Sequence, residues 1–151
     1  MYEQIYKKHA YVYLASEFNF KTPLLDNDTL VLLISQSGET ADTLAVLRKA
    51  KEQGITTMAI VNVVGSSIAR EADKVLYIKA GPEIAVATTK GYSSQVATLT
   101  NVALTIMKQK GLLQDSVMDT FYKDVEKIET LAEDLINSKE FKEYEGNDYN
   151  K

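Results

Sequence analysis

Val31-Leu32-Leu33-Ile34-Ser35-Gln36-Ser37-Gly38-Glu39-Thr40-Ala41-Asp42-Thr43-Leu44 decides how this chain folds. The first four residues are an unbroken apolar run with β-branched members, the pattern of a strand covered on both faces. The run ends in a turn of hydroxyls, an amide and one glycine. Beyond it Leu44, Leu47 and Ala50 recur at a spacing of three through a charged stretch that stops at Gly54, a C′ glycine. That is strand, turn, amphipathic helix. Met58-Ala59-Ile60-Val61 and Val75-Leu76-Tyr77-Ile78 repeat the strand signature, with a shorter helical segment over 66–72 between them and Asp73 opening the last strand. Tyr11-Val12-Tyr13-Leu14 reads as a further strand. The alternation predicts an α/β fold with a parallel sheet and right-handed crossovers.

After these strands the chain changes character. Val96, Leu99, Ala103, Ile106 and Met107 give helical periodicity up to Gly111, and Val117, Phe121, Val125, Ile128, Leu131 and Leu135 predict a second long amphipathic helix. From about Ser138 the pattern is lost, and the polar ending 139–151 reads as a frayed tail or a linker.

Composition excludes several classes of function. A chain of 151 residues with 45% hydrophobic and 25% charged residues closes one ordinary core. Its 17 basic and 21 acidic residues leave a net charge of −4 without a long basic run, so no nucleic-acid partner is expected. With no cysteine and only His9 as a histidine, neither a thiolate site nor a zinc centre is expected, and no cofactor is called for. The residues Met1-Tyr2-Glu3-Gln4-Ile5-Tyr6-Lys7-Lys8 lack the apolar core of a signal peptide, and no apolar stretch is long enough to span a bilayer. A cytoplasmic protein without membrane contact is the expectation.

The turn 35–40 carries the chemistry. In an open parallel sheet, ligands bind beyond the C-terminal ends of the strands, where turns deliver helix N-termini. The free N–H groups of a first helical turn and the positive end of the helix dipole favour an anion there. Ser35, Ser37 and Thr40 add hydroxyls, Gln36 adds an amide, and Gly38 removes a Cβ from the path of a ligand. A phosphate held by such groups, with no lysine or arginine in the loop, binds at micromolar to millimolar level, on the order of 4 to 8 kcal/mol. The competing reading is a plain cap, in which Ser37 or Thr40 closes the helix and Gly38 eases the turn. A nucleotide P-loop does not fit, because the lysine before the Ser or Thr is missing.

Asn62-Val63-Val64-Gly65-Ser66-Ser67 repeats the arrangement after the second strand, where Ser66 or Ser67 as a simple cap is sufficient. Ala80-Gly81-Pro82-Glu83-Ile84-Ala85-Val86-Ala87-Thr88-Thr89-Lys90 follows the third strand and shares the same rim, so Thr88 and Thr89 can face a ligand seated on the first turn. Glu83 and Lys90 are read as a pair or as solvated side chains, and His9 as a surface residue.

Ala15-Ser16-Glu17-Phe18, the turn 35–44, Asn62 to Asp73 and Ala80 to Ile84 together resemble the SIS (sugar isomerase) domain. More narrowly they resemble the isomerase part of the glutamine:fructose-6-phosphate aminotransferase family, in its order and at its spacing. The resemblance implies a three-layer, doubly wound parallel sheet of flavodoxin-like topology, followed by C-terminal helices. It implies a partial SIS domain over 1–111, a helical linker over 112–138 toward a second SIS lobe, and a polar tail over 139–151. It also implies that Ser35, Gln36, Ser37 and Thr40 hold the phosphoryl group of fructose 6-phosphate or glucosamine 6-phosphate, with Val86, Ala87 and Thr88 lining the sugar. Thr88 stands where the family usually has serine and keeps the hydroxyl.

Nothing in 1–10 matches the family's first strand and its Gly-Thr-Ser turn, and the glutaminase domain with its cysteine nucleophile has no counterpart. The family's catalytic glutamate, histidine and lysine belong to the second lobe, so no residue here is assigned a catalytic role. The chain therefore reads as the sugar-phosphate-binding lobe of a longer aminotransferase of hexosamine biosynthesis, working as a homodimer or with further lobes. Losing a central strand exposes unpaired backbone, which a chain acting alone seldom keeps. The alternatives are an SIS deglycase or aminosugar-phosphate deaminase fragment, or a non-catalytic sugar-phosphate-binding protein.

Overall fold

A computed structural model describes residues 9–21, 23, 25–82 and 88–142. In chain order these form α1 (Ala15–Phe20), β1 (Leu30–Ser35), α2 (Ala41–Glu52), β2 (Thr56–Val61), α3 (Ser67–Glu71), β3 (Lys74–Tyr77), α4 (Thr89–Gln109) and α5 (Asp115–Asn137). The three strands are parallel and lie in the order β1-β2-β3. Leu33 aligns with Ala59, and Ala59 with Val75. The α/β class with a helix-flanked parallel sheet is the one the alternation predicts.

Register decides which side chains meet. Leu33, Ala59 and Val61 face the same side and join Phe18 of α1, Val46 and Leu47 of α2 and Ile68 of α3 in one buried cluster. Strands added in one direction by crossovers of one hand place the connecting helices on one face, which is where α2 and α3 pack. On the opposite face of β1, Leu30 and Ile34 are exposed, whereas Ile60 of the central strand is fully buried. Truncating Leu47 or Ile60 to alanine costs about 2–5 kcal/mol by loss of burial and the cavity left behind.

Gly54 ends α2 as the spacing predicts. The Gly54 N–H donates to the Lys51 carbonyl at 3.0 Å, the Ile55 N–H to Ala50 at 3.0 Å, and Gly54 has φ +71°. This pair of bonds is a Schellman motif, which requires a left-handed C′ residue, and Ile55 then turns into the core at 4% exposed. The same pair closes α4, with Gly111 donating to Lys108 and Leu112 to Met107.

The expectation of a strand at 11–14 is not met. Among the described residues no strand pairs with this stretch, and Tyr11, Val12 and Leu14 are mostly exposed. Tyr13 instead lies edge-on to Phe18 with ring centroids 5.7 Å apart, and Leu14 leads into α1. An apolar run becomes a strand only where an edge is offered to it, and β1 has β2 as its sole partner among the described strands. Past α5, Ser138 Oγ accepts from the Phe141 N–H at 3.2 Å, and residues 139–142 add a short helical turn where the pattern predicts fraying.

The chain divides into two compact units, Met1–Ala103 and Leu104–Lys151. The sheet, its three turns and the start of α4 belong to the first. The second contains the end of α4 and all of α5, with Leu104, Met107 and Met118 buried.

Candidate functional site

The turns after β1, β2 and β3 emerge side by side at the C-terminal end of the sheet and are tied together by hydrogen bonds. The Asn62 N–H donates to the Gln36 carbonyl at 3.2 Å, and the Ile68 N–H to the Gly38 carbonyl at 3.0 Å. Asn62 also clasps the third turn. Its Nδ2 donates to Gly81 O at 2.7 Å and its Oδ1 accepts from the Ala80 N–H at 2.9 Å.

Within the first turn the hydroxyls do not cap the helix. Thr40 is the N-cap residue of α2, with extended backbone, yet its side chain makes no capping bond. Its Oγ1 lies 3.1 Å from Ser35 Oγ instead, and Ser35 Oγ accepts from the Gly38 N–H at 3.0 Å. Ser37 Oγ accepts from the Glu39 N–H at 3.2 Å. Ser35 is 7% exposed and braces the loop from inside, while Ser37 and Thr40 are exposed. The positive end of α2 is thus left uncapped by side chains beside two exposed hydroxyls. Such an end attracts an anion.

Gly38 is required on two counts. Its φ of +68° lies in the left-handed region, and a Cβ there would stand 2.1 Å from Ser66 Oγ and 2.6 Å from Ser66 Cβ. The first and second turns therefore touch through a hydrogen atom. Ser66 itself is 3% exposed, makes no side-chain cap on α3, and its Oγ has no hydrogen-bond partner. The expectation that Ser66 or Ser67 caps α3 through its own hydroxyl is replaced by a carboxylate from the first turn. Glu39 Oε1 accepts from the Ser67 N–H at 2.7 Å. Hydrogen bonds from the Ser67 side chain and then its backbone, helped by the charge of Arg70, hold the Glu39 carboxyl below its ordinary range. Arg70 is itself engaged with Gly65 O and, at 3.1 Å, with Ser67 Oγ.

The start of α4 joins the same rim. A Cβ placed on Gly91 would lie 2.7 Å from Gln36 Oε1 and 3.0 Å from Thr88 Cγ2, so the Gln36 amide and the Thr88 methyl meet at one glycine. Gln36 Oε1 is buried without a hydrogen-bond partner. Thr88 holds φ +39°, an uncommon value for a β-branched residue, and its carbonyl accepts from the Tyr92 N–H at 3.0 Å. Ser35, Gln36, Ser37, Thr40 and Thr88 are thus brought to one end of the sheet. Val86 and Ala87 lie outside the described residues, as does Glu83. Lys90 Nζ donates to Pro82 O at 2.7 Å.

Sequence reasoning missed Glu39, Asn62 and Gly91. A glycine in the first turn of a helix was a usable signal, because it costs stability unless something needs the space. Glu39 and Asn62 act on partners far along the chain and leave no local pattern. Among the described residues no group of three or more His, Cys, Asp and Glu is placed to hold a metal, and no helix is long and apolar enough to cross a membrane.

At the other end of the strands Asp73 closes a separate cluster. Its Oδ2 accepts from the buried Thr57, at 2.6 Å from Oγ1 and 2.9 Å from the N–H, and its Oδ1 lies 3.1 Å from Lys51 Nζ. The Thr57 bonds, with Lys51, pull its pKa down to about 2. This cluster fastens β2 to the start of β3 and is remote from the rim.

Comparison with known proteins identifies the family of the chain. Residues 1–105 match the SIS domain family. The glutamine–fructose-6-phosphate aminotransferase (isomerizing) of Clostridium tetani is 49% identical over 127 residues, covering 84% of this chain and 21% of that protein. The enzyme of the same name from Symbiobacterium thermophilum is 58% identical over 98 residues, 65% of this chain and 16% of that protein. Among solved structures, the C-terminal domain of glucosamine-fructose-6-phosphate aminotransferase from Francisella tularensis superposes with a TM-score of 0.79 at 39% identity, covering 86% of this chain and 37% of that one. The chain spans about a fifth of the length of the curated relatives it matches.

Proposed function

The chain belongs to the SIS domain family, and from that premise we propose that its rim binds the phosphorylated end of fructose 6-phosphate or glucosamine 6-phosphate. The observation that carries the reading is the uncapped N-terminus of α2, where Thr40 turns its hydroxyl to Ser35 rather than to the helix. A phosphate dianion there meets the first-turn N–H groups and the hydroxyls of Ser37 and Thr40, with Gln36 behind them. Ser35 holds the loop open for it by bonding Gly38 and Thr40. Val86, Ala87 and Thr88 line the sugar.

Binding and orientation are the work we assign to this chain, and no residue in it is given a catalytic role. The matched relatives are named for a transamination that isomerises, and we place this lobe in a longer protein of that activity, acting as a homodimer or with further lobes in the cytoplasm. There it would hold the ketose phosphate while ammonia, released from glutamine elsewhere in the protein, adds to the ketose carbonyl. We propose no nucleic-acid or membrane partner, in keeping with a net charge of −4.

Calorimetric titration with fructose 6-phosphate, glucosamine 6-phosphate and inorganic phosphate tests the reading. The expected result is micromolar to millimolar binding of both sugar phosphates, weakened by about 1 kcal/mol on removing either exposed hydroxyl in Ser37→Ala or Thr40→Val. Heats indistinguishable from dilution for all ligands would overturn it.

A further inference from the structure

Gly91 is buried in the first turn of α4, and the backbone does not explain why it is a glycine. Gly38, at φ +68°, needs left-handed freedom, whereas Gly91 has ordinary helical backbone, where glycine costs stability relative to alanine. What alanine would bring is a Cβ. The three atoms nearest to it would be Gln36 Oε1 at 2.7 Å, Gln36 Cδ at 3.0 Å and Thr88 Cγ2 at 3.0 Å. Space is what the glycine provides.

Non-bonded carbon atoms pack at about 3.5–4.0 Å, so a Cβ at 91 would oblige both neighbours to give way. The two differ in their latitude. The Gln36 carboxamide ends a flexible side chain and can swing, and its buried Oε1 has no hydrogen bond to hold it where it is. The Thr88 methyl is far less free. Branching at Cβ restricts its χ1, its backbone stands at φ +39°, and its carbonyl is fixed by the 3.0 Å bond from the Tyr92 N–H. Because methyl and hydroxyl share one Cβ, a methyl seated against Gly91 also sets the direction of the Thr88 hydroxyl.

We propose that Gly91 is a positioning residue of the rim, seating the Thr88 methyl and the Gln36 carboxamide together so that one contact orients the phosphate-side and the sugar-side groups. Thr88 and Gly91 are then a matched pair, in which the absent Cβ at 91 accommodates the methyl that distinguishes threonine from serine at 88. The role rests on the reading of the rim as a sugar-phosphate site and adds to it a residue that acts through two others.

Calorimetric titration of the full chain with fructose 6-phosphate, and urea unfolding without ligand, test the pairing in a cycle over Gly91→Ala and Thr88→Ser. Gly91→Ala is expected to bind fructose 6-phosphate about tenfold more weakly and to unfold at lower urea, against the gain that alanine brings to an open helix. Adding Thr88→Ser removes the methyl and keeps the hydroxyl. The double variant is expected to recover the affinity to within about threefold of the parent and to unfold at higher urea than Gly91→Ala. A general loosening of the rim would not be repaired by a second loss of packing. Where Gly91→Ala does not fold by itself, the double variant decides: folding and binding support the pairing, and failure to fold overturns it. Undiminished affinity in Gly91→Ala, or a double variant that binds no better than Gly91→Ala, would overturn the proposal and leave the sugar-phosphate reading standing. A parent chain that binds neither fructose 6-phosphate nor inorganic phosphate, with the urea cycle still coupled, would instead overturn that reading and the orienting role with it.

Discussion

Glu39 Oε1 accepts a 2.7 Å hydrogen bond from the backbone N–H of Ser67, so a carboxylate of the turn after β1 caps the helix that follows β2. The bond turns a negative charge away from the place where an anion is proposed to bind and gives it to another helix end. It also fastens two turns whose contact elsewhere depends on Gly38 and Ser66 packing without a Cβ between them.

Replacing Glu39 by glutamine keeps its size and an acceptor but removes the charge that Arg70 and the α3 dipole favour. A modestly lower melting temperature is the expected outcome for Glu39→Gln, with binding of inorganic phosphate unchanged or tightened because a negative charge near the anion site is gone. Glu39→Ala, which also frees the loop, should lower both melting temperature and phosphate affinity. Calorimetry and thermal denaturation of the two variants check this. Unaltered phosphate affinity in Glu39→Ala would show that the tie does not shape the loop.

Gly38→Ala should be among the most damaging single substitutions in the rim. Left-handed backbone costs a residue with a Cβ about 1–2 kcal/mol, and overpacking against Ser66 adds about 1–3 kcal/mol. Ser66→Gly removes the colliding atoms. The double variant should therefore recover the overpacking part while the backbone part stays, so that the two changes are non-additive in a denaturant-unfolding cycle. Simple addition of the two effects would mean that the turns do not touch as described.

Asp73 gives the fold a pH dependence. Its folded pKa of about 2 lies below the ordinary value of 3.8, so the stability it contributes is fully present above about pH 4 and is lost as pH falls toward 2. Asp73→Asn should lower the melting temperature at pH 7 and make little difference at pH 2. Thr57→Val, which removes the buried hydroxyl donor, should cost about 1–2 kcal/mol at neutral pH. Melting curves of both variants across pH 2–7 test the assignment, and a deficit that persists unchanged at pH 2 would refute it.

Asn62 should be intolerant of change. Asn62→Ala removes two hydrogen bonds to the third turn at about 0.5–1.5 kcal/mol each, and amide exchange at Ala80 should accelerate in that variant.

The parts of this fold that were legible are those whose cause is local. The apolar runs 31–34, 58–61 and 75–78 lie in β1, β2 and β3 apart from Ile78, because a strand covered on both faces needs little but continuous apolar character. Gly54 was legible because only a residue at ease with positive φ closes a Schellman motif. Tyr11 to Leu14 misled for the converse reason: an apolar run describes the segment and not whether a neighbour exists to pair with it. In the rim, hydroxyl density pointed to 35–40, but whether Thr40 caps α2 or bonds Ser35 depends on a side-chain rotation that no spacing encodes. The partners of Asn62 and Glu39 lie 18 and more residues away and entered only with the folded chain.

The measurement that bears most directly on the central claim is the amide NMR response of the chain to inorganic phosphate and, separately, to fructose 6-phosphate. The account predicts saturable shifts at Gly38, Glu39, Ala41 and Asp42 for both ligands, with Thr88 added for the sugar phosphate alone. A turn that is only a helix boundary would leave those amides unmoved at millimolar ligand, and that result would contradict it.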